Sequence, residues 1–258
     1  FFKSMITPQQ IKSMKSRQKI VMLTAYDFPM AKLMDGIVDI ILVGDSMGMV
    51  VLGYGNTAKV TMQDIARATG SVARAAKNAL IVADLPFGAY DNEKDSLKNA
   101  KLLLEAGAKA VKVENKPEII EFLVNNGIDV MAHIGLTPQT ITNFKVQGKN
   151  EDDAKNLLEL AKACDKSGCF SIVLECVPEG LGKAITDSIS PPTIGIGAGI
   201  HCDGQVLVTH DILGLFDMFK PKFVKRYAEI GKEMRKAFEH YANEVREGKF
   251  PSDEFSFH

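Results

Sequence analysis

Short apolar runs alternate along this chain with longer segments whose apolar residues recur every three to four positions. The runs are continuous instead of alternating apolar with polar residues, which is typical of strands covered on both faces. They predict eight strands: Ile20–Ala25, Asp39–Val43, Leu80–Ala83, Ala110–Val113, Asp129–Ala132, Ser171–Leu174, Thr193–Ile196 and Gln205–Val208. The intervening pattern predicts helices over Pro29–Met34, Met62–Ala76, Glu93–Glu105, Pro117–Asn126, Asp152–Ser167 and Pro178–Ile189.

This alternation of strand and helix predicts an α/β fold. Strands joined through helices pair in parallel, with right-handed crossovers. Eight such units close most simply into a (β/α)8 TIM barrel, which commonly takes about 250 residues. A doubly wound open sheet is the alternative, and periodicity alone does not decide between the two.

A second kind of pattern follows the last predicted strand. Apolar residues recur there with the period of a helix and face a mixed charged side, which predicts a long amphipathic helix over about 222–247 that ends at Gly248. The stripe consists of Phe223, Tyr227, Ile230, Met234, Phe238, Tyr241 and Val245. No linker or low-complexity segment interrupts the chain, so we expect one domain over residues 1–258, with extra helices at its C-terminal end.

Composition and charge narrow the class of protein. Of 258 residues, 46% are hydrophobic and 24% are charged, and the formal net charge is −1. These values are typical of a globular protein and supply no long-range field for nucleic acid or an anionic membrane. We find neither a transmembrane span nor a secretory pattern, and the four cysteines lack zinc-type spacing. We therefore expect a cytoplasmic protein that binds neither nucleic acid nor membranes.

Polar residues stand at the ends of five successive predicted strands. In a parallel barrel the catalytic residues lie at the carboxyl ends of the strands, where the loops between strands and helices meet. Any one of these residues alone is more often a helix cap or half of an ion pair. Their convergence on one rim is the stronger signal, and the set is Asp45, Asp84, Lys112, Glu114, His133 and Glu175.

Four of these residues are acids, and crowded carboxylates repel one another unless a cation neutralises them. Oxygen ligands favour a hard ion of magnesium character. Asp45 and Asp84 have short side chains suited to direct coordination of the ion. Glu175 comes from the far side of the barrel mouth and is a candidate general base. Lys112 and Ser46 are candidates to hold a carboxylate or an enolate oxygen. The set predicts metal-assisted deprotonation next to a carbonyl, followed by carbon–carbon bond formation or cleavage.

Four longer segments carry a family resemblance. They are Val43-Gly44-Asp45-Ser46-Met47-Gly48, His133-Ile134-Gly135-Leu136-Thr137-Pro138-Gln139, Leu174-Glu175-Cys176-Val177-Pro178, and Ile194-Gly195-Ile196-Gly197-Ala198-Gly199 with Asp203-Gly204-Gln205 after it. By these segments the chain closely resembles the ketopantoate hydroxymethyltransferase family. The resemblance extends over nearly the whole chain, from Leu23-Thr24-Ala25-Tyr26-Asp27 to Pro221-Lys222-Phe223-Val224-Lys225-Arg226-Tyr227.

The resemblance implies a TIM barrel that binds one Mg²⁺ per subunit and moves a hydroxymethyl group from 5,10-methylene-tetrahydrofolate to the 2-oxo acid 3-methyl-2-oxobutanoate. It implies homodecamers built as pentamers of dimers. By position, Asp45 and Asp84 resemble the direct metal ligands, with Glu114 completing the site. Asp45, Ser46, Asp84 and Lys112 resemble the keto-acid site, and Glu175 resembles the proton acceptor. His133 falls in a family motif near the site.

Two rim segments depart from the family pattern. Asn115-Lys116 stands where two glycines are usual, and Gly55-Asn56-Thr57-Ala58 replaces a usual Asp-Thr-Thr-Leu. Two alternatives to the family function stay open. One is another magnesium-dependent 2-oxo-acid lyase or aldolase on a similar barrel, and the other is a non-catalytic barrel that binds a keto acid.

Overall fold

The computed structural model describes residues 5–140 and 145–258. Its strands are β1 Ile20–Thr24, β2 Ile40–Val43, β3 Leu80–Asp84, β4 Ala110–Glu114, β5 Val130–Gly135, β6 Ser171–Glu175, β7 Thr193–Ile196 and β8 Gly204–Leu207. The α-helices in these residues are α1 Pro8–Ser13, α2 Phe28–Met34, α3 Met47–Val50, α4 Met62–Ala75, α5 Glu93–Glu105, α6 Pro117–Asn125, α7 Glu151–Lys166, α8 Glu179–Ser188, α9 Thr209–Ile212 and α10 Ile230–Arg246.

The eight strands form a closed barrel in sequence order, β1 to β8. Each strand pairs in parallel with its neighbours, and β8 closes the ring against β1 through Ile20↔Gly204 to Leu23↔Leu207. An open doubly wound sheet would leave two unpaired edges. The predicted (β/α)8 TIM barrel is therefore confirmed.

Side-chain alternation along the strands separates two apolar cores. Outward-facing residues of the strands pack against the surrounding helices, as Ile81, Val111 and Ile172 do. Inward-facing residues fill the barrel, as Leu80, Val82, Ala110 and Met131 do. Residues two apart on a strand share a face, so the inward rows Leu80, Val82, Asp84 and Ala110, Lys112, Glu114 run from apolar to charged toward the carboxyl ends of the strands.

Helix starts around the barrel follow local capping chemistry. The side chains of Asp27, Thr61, Asn92 and Asn150 accept a hydrogen bond from a main-chain N–H in the first turn of the helix that each precedes. These bonds satisfy donors that the helix itself leaves unpaired. The predicted helix boundaries lie within one residue of the observed ones at most of these positions.

Four strands extend further at their carboxyl ends than the hydropathy pattern predicts. β5 continues from Ala132 to Gly135 and so includes His133. We expected β3, β4 and β6 to stop at the last apolar residue, but the strands include the carboxylates of Asp84, Glu114 and Glu175. Strand pairing depends on main-chain groups and not on side-chain polarity. These carboxylates therefore project from rigid strands and not from loops.

The chain divides into two compact units, the first ending at Val208 and the second covering Thr209–His258. The single domain that we expect over residues 1–258 stays a prediction.

The structure corrects the start of the C-terminal helix, because α10 begins at Ile230 and not near residue 222. The main-chain N–H groups of Tyr227 and Ala228 bond the carbonyl oxygen of Ile212 instead of continuing a helix. Among the described residues, no helix has the length and apolarity to cross a bilayer.

Candidate active site at the carboxyl end of the barrel

Strand register brings the predicted site residues together. Asp84 of β3 lies beside Lys112 of β4, and Glu114 of β4 lies beside His133 of β5. Glu175 of β6 lies beside Gly135, two residues beyond His133. The side chains form one connected row across the barrel mouth, and the row begins at Asp45, just after β2.

Asp45 and Asp84 form the first part of the row. The main-chain N–H of Asp45 donates to Asp84 Oδ2 at 3.0 Å, and both side chains are buried. Burial raises the pKa of Asp45 well above its ordinary value, and the nearby Asp84 carboxylate raises it further. Burial likewise raises the pKa of Asp84, against the opposing effect of Lys112. Two buried acids side by side are the arrangement that a cation stabilises most.

Lys112 lies between two of the acids. Its Nζ is 3.2 Å from Asp84 Oδ1 and 3.8 Å from Glu114 Oε1, and its side chain is buried. Burial alone disfavours the ammonium form, but the negative charges of Asp84, Glu114 and Asp45 outweigh it and raise the pKa of Lys112. Lys112 is therefore a fixed positive charge in a water-poor site.

His133 connects Glu114 to Glu175. Its Nδ1 is 3.1 Å from Glu114 Oε1, and its Nε2 is 3.1 Å from Glu175 Oε2. Burial and the Lys112 ammonium oppose protonation, but the two glutamates outweigh them and raise the pKa of His133 to about 9. Burial raises the pKa of Glu114, yet His133 and Lys112 hold it below its ordinary value. The two carboxylates thus favour the imidazolium form of His133, against the Lys112 ammonium, whose Nζ lies 3.2 Å from His133 Nδ1.

Glu175 differs from the rest of the row in its access to solvent. Its side chain is 15% exposed, whereas that of His133 is 4% exposed. Its main chain fits closely against the end of β5, where Leu136 N donates to the Glu175 carbonyl oxygen at 2.8 Å. A Cβ at Gly135, which has φ +97°, would collide with that oxygen. Glycine is needed there, and it lets the two strand ends approach.

Ser46 lies at the start of α3, directly after Asp45. Its Oγ is 2.8 Å from the hydroxyl oxygen of Tyr26, which follows β1. Burial raises the pKa of Tyr26, so the phenol is neutral at physiological pH. The pair offers a neutral hydroxyl next to the two aspartates.

Three polar residues of the site were missed by the sequence reasoning. Gln139 Nε2 donates to Asp45 Oδ2 at 2.8 Å, and Tyr90 OH donates to Gln139 Oε1 at 2.5 Å. Tyr26 is the third. Gln139 and Tyr26 stand inside the segments that carry the family resemblance, which was an available signal, whereas nothing in the sequence marks Tyr90.

The carboxylates can be tested for their fit to a divalent cation. Glu114 Oε2 is buried and takes no hydrogen bond from any described residue, whereas Asp84 Oδ1 has the Lys112 ammonium 3.2 Å away. Within residues 5–140 and 145–258, no group of three or more His, Cys, Asp and Glu side chains is arranged to hold a metal ion. Mg²⁺ commonly takes one or two carboxylates together with water and substrate oxygens. Asp45 and Asp84 supply short carboxylates for that use, although Asp84 shares its charge with Lys112, and Glu114 Oε1 is paired with both Lys112 and His133.

Comparison with known families gives one match over almost the whole chain. The sequence model of the family described as ketopantoate hydroxymethyltransferase matches residues 5–253. The chain is 53% identical to the 3-methyl-2-oxobutanoate hydroxymethyltransferase of Heliobacterium modesticaldum, over 98% of this chain and 95% of that protein. It is 52% identical to the protein of the same name from Clostridium acetobutylicum, over 97% and 95% respectively.

Comparison with solved structures shows the fold. A phosphonopyruvate hydrolase in complex with oxalate and Mg²⁺ superposes with a TM-score of 0.64 at 12% identity, over 96% of this chain and 93% of that one. A phosphoenolpyruvate phosphomutase from Streptomyces platensis superposes with a TM-score of 0.63 at 15% identity, over 94% and 88%. A 2,3-dimethylmalate lyase gives 0.61 at 13%, over 96% and 91%.

Proposed function

The chain belongs to the ketopantoate hydroxymethyltransferase family, and on that premise we propose how its barrel carries out the reaction. The enzyme is a hydroxymethyltransferase of the pantothenate pathway that acts on 3-methyl-2-oxobutanoate. We propose that the one-carbon donor is 5,10-methylene-tetrahydrofolate and that the product is 2-dehydropantoate, on the route to coenzyme A. The observation that carries the proposal is the connected row of charged side chains from Asp45 to Glu175 on one rim.

Asp45 and Asp84 are the proposed ligands of one Mg²⁺ per subunit, with Glu114 completing the site. Their fit is supported by the oxygen-only donor set, by the burial of both carboxylates and by the nearby Asp84 charge, which adds to the effect of burial in raising the pKa of Asp45. When bound, Mg²⁺ withdraws electron density from the substrate carbonyl and so acidifies the neighbouring C–H. The Glu114 assignment rests on the family resemblance.

Lys112 and Ser46 are the proposed holders of the substrate's oxygen atoms, together with the two aspartates. The Lys112 ammonium is buried and fixed by Asp84 and Glu114, so it needs little reorganisation when negative charge develops beside it. The Ser46 hydroxyl is oriented by Tyr26. These side chains hold the 2-oxo acid in one orientation, with its C3 hydrogen toward Glu175.

Glu175 is the proposed base. Its carboxylate is the most accessible of the row, and His133 Nε2 stands 3.1 Å from Oε2, so one oxygen is oriented while the other can receive a proton. C3 of the substrate loses its proton to Glu175. Water adds to the methylene carbon of the donor, both C–N bonds of that carbon break, and tetrahydrofolate leaves with a proton on each nitrogen, so the carbon is left at the oxidation level of formaldehyde. C3 then bonds to this carbon, and the resulting alkoxide takes back the proton from Glu175 to give the hydroxymethyl group.

Proton NMR of 3-methyl-2-oxobutanoate in D₂O tests the substrate, the cation and the base together. With enzyme and Mg²⁺ we expect the C3 proton to exchange without any folate, and exchange to stop when EDTA removes the cation. Addition of 5,10-methylene-tetrahydrofolate should then give 2-dehydropantoate. Absence of exchange under every condition would favour the non-catalytic keto-acid-binding barrel and contradict the proposal.

The metal-dependent lyase or aldolase alternative predicts a different outcome in the same experiment. Such an enzyme would cleave a 2-oxo or hydroxy acid with no folate present. Structural neighbours that include a 2,3-dimethylmalate lyase share the fold at 13% identity, which does not extend to their chemistry. Folate-independent cleavage of such acids at a rate above hydroxymethyl transfer would favour the alternative.

The assembly and location of the enzyme are part of the proposal. We propose a homodecamer built as a pentamer of dimers in the cytoplasm, on the family resemblance. Native mass spectrometry would show ten chains of 28.2 kDa each. A monomer or dimer at micromolar concentration would contradict the decamer and leave the reaction unaffected.

A further inference from the structure

We propose that Gln139, held in orientation by Tyr90, is a positioning residue that keeps the Asp45 carboxylate in place for the divalent cation. The inference rests on the proposed function, because it concerns the proposed ligand Asp45. It depends on three contacts that join the loops after β3 and β5 to a side chain after β2. Neither Gln139 nor Tyr90 belongs to the proposed ligand, substrate or base set.

The orientation of the Gln139 amide is determined by its surroundings. Its Nε2 is 2.8 Å from Asp45 Oδ2 and 3.0 Å from the carbonyl oxygen of Leu85. The Leu85 carbonyl is an acceptor only, and so is the ionised Asp45 carboxylate, the form that would bind a cation, so both N–H groups of the amide are used. The reversed amide would place its oxygen against a carboxylate and a carbonyl, and both contacts would become repulsive.

Tyr90 completes this orientation from the opposite side. Its hydroxyl lies 2.5 Å from Gln139 Oε1, and both side chains are buried. Burial raises the pKa of Tyr90, so the hydroxyl keeps its proton and donates it. An O–H donor at Oε1 and two acceptors at Nε2 leave the amide one satisfied orientation.

Tyr90 is itself held from the β4 side of the rim. Lys116 Nζ lies 5.3 Å from the centre of the Tyr90 ring and 3.3 Å from the Tyr90 carbonyl oxygen. It also lies 3.4 Å from Asp91 Oδ1. Lys116 follows Asn115, which has φ +53°, in the left-handed region that asparagine tolerates better than most residues. This chain therefore holds Tyr90 with a side chain that a glycine at position 116 could not provide.

These contacts determine the direction of the Asp45 carboxylate. Gln139 takes Oδ2, while the Asp45 main-chain N–H is directed to Asp84 Oδ2 at 3.0 Å. A carboxylate fixed through one oxygen loses less freedom when the other binds a cation. Partners that orient a metal ligand in this way typically contribute 10- to 100-fold in metal affinity or activity.

Mn²⁺ binding measured by electron paramagnetic resonance, with 3-methyl-2-oxobutanoate present, tests the inference apart from turnover. We expect Gln139→Leu to raise the Mn²⁺ dissociation constant about 10-fold and Tyr90→Phe about 3- to 10-fold. In steady-state assays the KM for Mg²⁺ should rise by similar factors, while kcat at saturating Mg²⁺ changes less. Because Tyr90 acts through Gln139, the double variant should bind Mn²⁺ no more weakly than Gln139→Leu alone.

Thr186→Val is the matched control. Thr186 Oγ1 is buried and lies 2.7 Å from both Thr193 Oγ1 and the Gly182 carbonyl oxygen, at the opposite end of the barrel. It should lower the melting temperature as much as Tyr90→Phe does but leave Mn²⁺ affinity unchanged. If Gln139→Leu does not fold, Tyr90→Phe decides the question alone, since it removes a single hydroxyl.

The possible outcomes separate this inference from the proposed function. Wild-type protein that binds no Mn²⁺ would overturn the proposed metal site and the positioning role with it. Wild-type binding that Tyr90→Phe and Gln139→Leu both leave unchanged would overturn the positioning role only. Multiplicative losses in the double variant would also overturn it, because Tyr90 would then act by another route.

Discussion

The two ends of the barrel both bury aspartates, and the surroundings of these aspartates differ. At the amino end, Asp203 accepts hydrogen bonds from the main-chain N–H groups of Ser16 at 3.0 Å and Thr193 at 2.9 Å, and Lys15 Nζ lies 3.1 Å away. At the carboxyl end, Asp84 accepts one main-chain hydrogen bond, from Asp45 N at 3.0 Å, its Oδ1 lies 3.2 Å from Lys112 Nζ, and its neighbour Asp45 is another acid. Several main-chain donors surround the acid at one end, whereas at the other end the acids are crowded together around one lysine.

Asp35 extends the contrast. It accepts hydrogen bonds from the main-chain N–H groups of Lys77, Asn78 and Ala79, each at 2.9 Å. Burial alone would raise the pKa of Asp35, but these bonds outweigh it and lower the pKa. The pKa values of Asp45 and Asp84 are raised instead. The amino end is thus built for stability, whereas the carboxyl end keeps crowded acids that a cation and a substrate would neutralise.

The largest expected effect is at the accessible base. Glu175→Gln should slow C3 proton exchange on the order of 10⁴-fold, because the amide cannot accept the proton. Binding of 3-methyl-2-oxobutanoate should persist, since the residues proposed to hold it are intact. NMR exchange in D₂O measures the first and calorimetry the second. The control is Glu179→Gln, which changes an exposed acid on the same rim and should leave the rate of C3 proton exchange at the wild-type value. Exchange at the wild-type rate in Glu175→Gln would refute the assignment of Glu175 as the base.

The next largest effect is expected at Asp84, at the carboxyl end of the barrel. Asp84→Asn should reduce activity about 10³-fold, since several kcal/mol of charge stabilisation by the cation are lost. The free energy of unfolding should change little, because the lost attraction to Lys112 is offset by the removal of one of two adjacent buried acids, and Glu114 still faces Lys112. Activity assays and urea denaturation measure the two. A variant that loses stability as well as activity would show that Asp84 is a structural residue like Asp203.

The amino end should respond in the opposite sense. Asp203→Ala should destabilise the protein by about 3 kcal/mol, because two main-chain N–H groups and the Lys15 ammonium lose their partner. Activity per folded molecule should match the wild type. Urea denaturation followed by circular dichroism gives the free energy, and activity is normalised to the folded fraction. A loss of activity in the folded protein would contradict the expectation that the amino end contributes to stability and not to catalysis.

The smallest effect concerns pH. Asp35→Asn should cost about 1.5 kcal/mol at pH 7, since the new NH₂ group would face N–H donors. The folded-state pKa of Asp35 lies below the ordinary 3.8, so its contribution is present above pH 4 and is lost as pH falls through the folded pKa. Melting temperatures of wild type and variant should therefore converge in acid. Glu105→Gln, an exposed acid, is the control; a constant gap down to pH 3 would contradict the assignment.

Much of the barrel could be predicted because hydropathy and strand pairing obey local rules. Residues such as Leu80 and Ile172 are apolar where strands are covered, and turns separate the runs. The helix boundaries were predictable for the same reason, and capping residues such as Thr61 and Asn92 precede the helices in the structure. The C-terminal helix was placed too early, because its stripe continues into Phe223 and Tyr227 while their main-chain bonds go elsewhere.

The chemistry-bearing residues were also predictable in part. Asp45, Asp84, Lys112, Glu114 and Glu175 stand at strand ends, and a barrel places all its strand ends on one rim. Their contacts were not predictable. Asp45 and Gln139 are 94 positions apart, and only the order of strands and the course of two loops bring them within hydrogen-bond distance.

The sequence by itself determined the alternation of strands and helices, the number of strands and the identity of the charged groups, because periodicity and composition are properties of neighbouring residues. Only the tertiary structure decided the partners: Lys112 between Asp84 and Glu114, His133 between two glutamates, and Tyr90 behind Gln139. Register, side-chain direction and burial set those distances. They depend on how the whole ring closes, which no local stretch of sequence records.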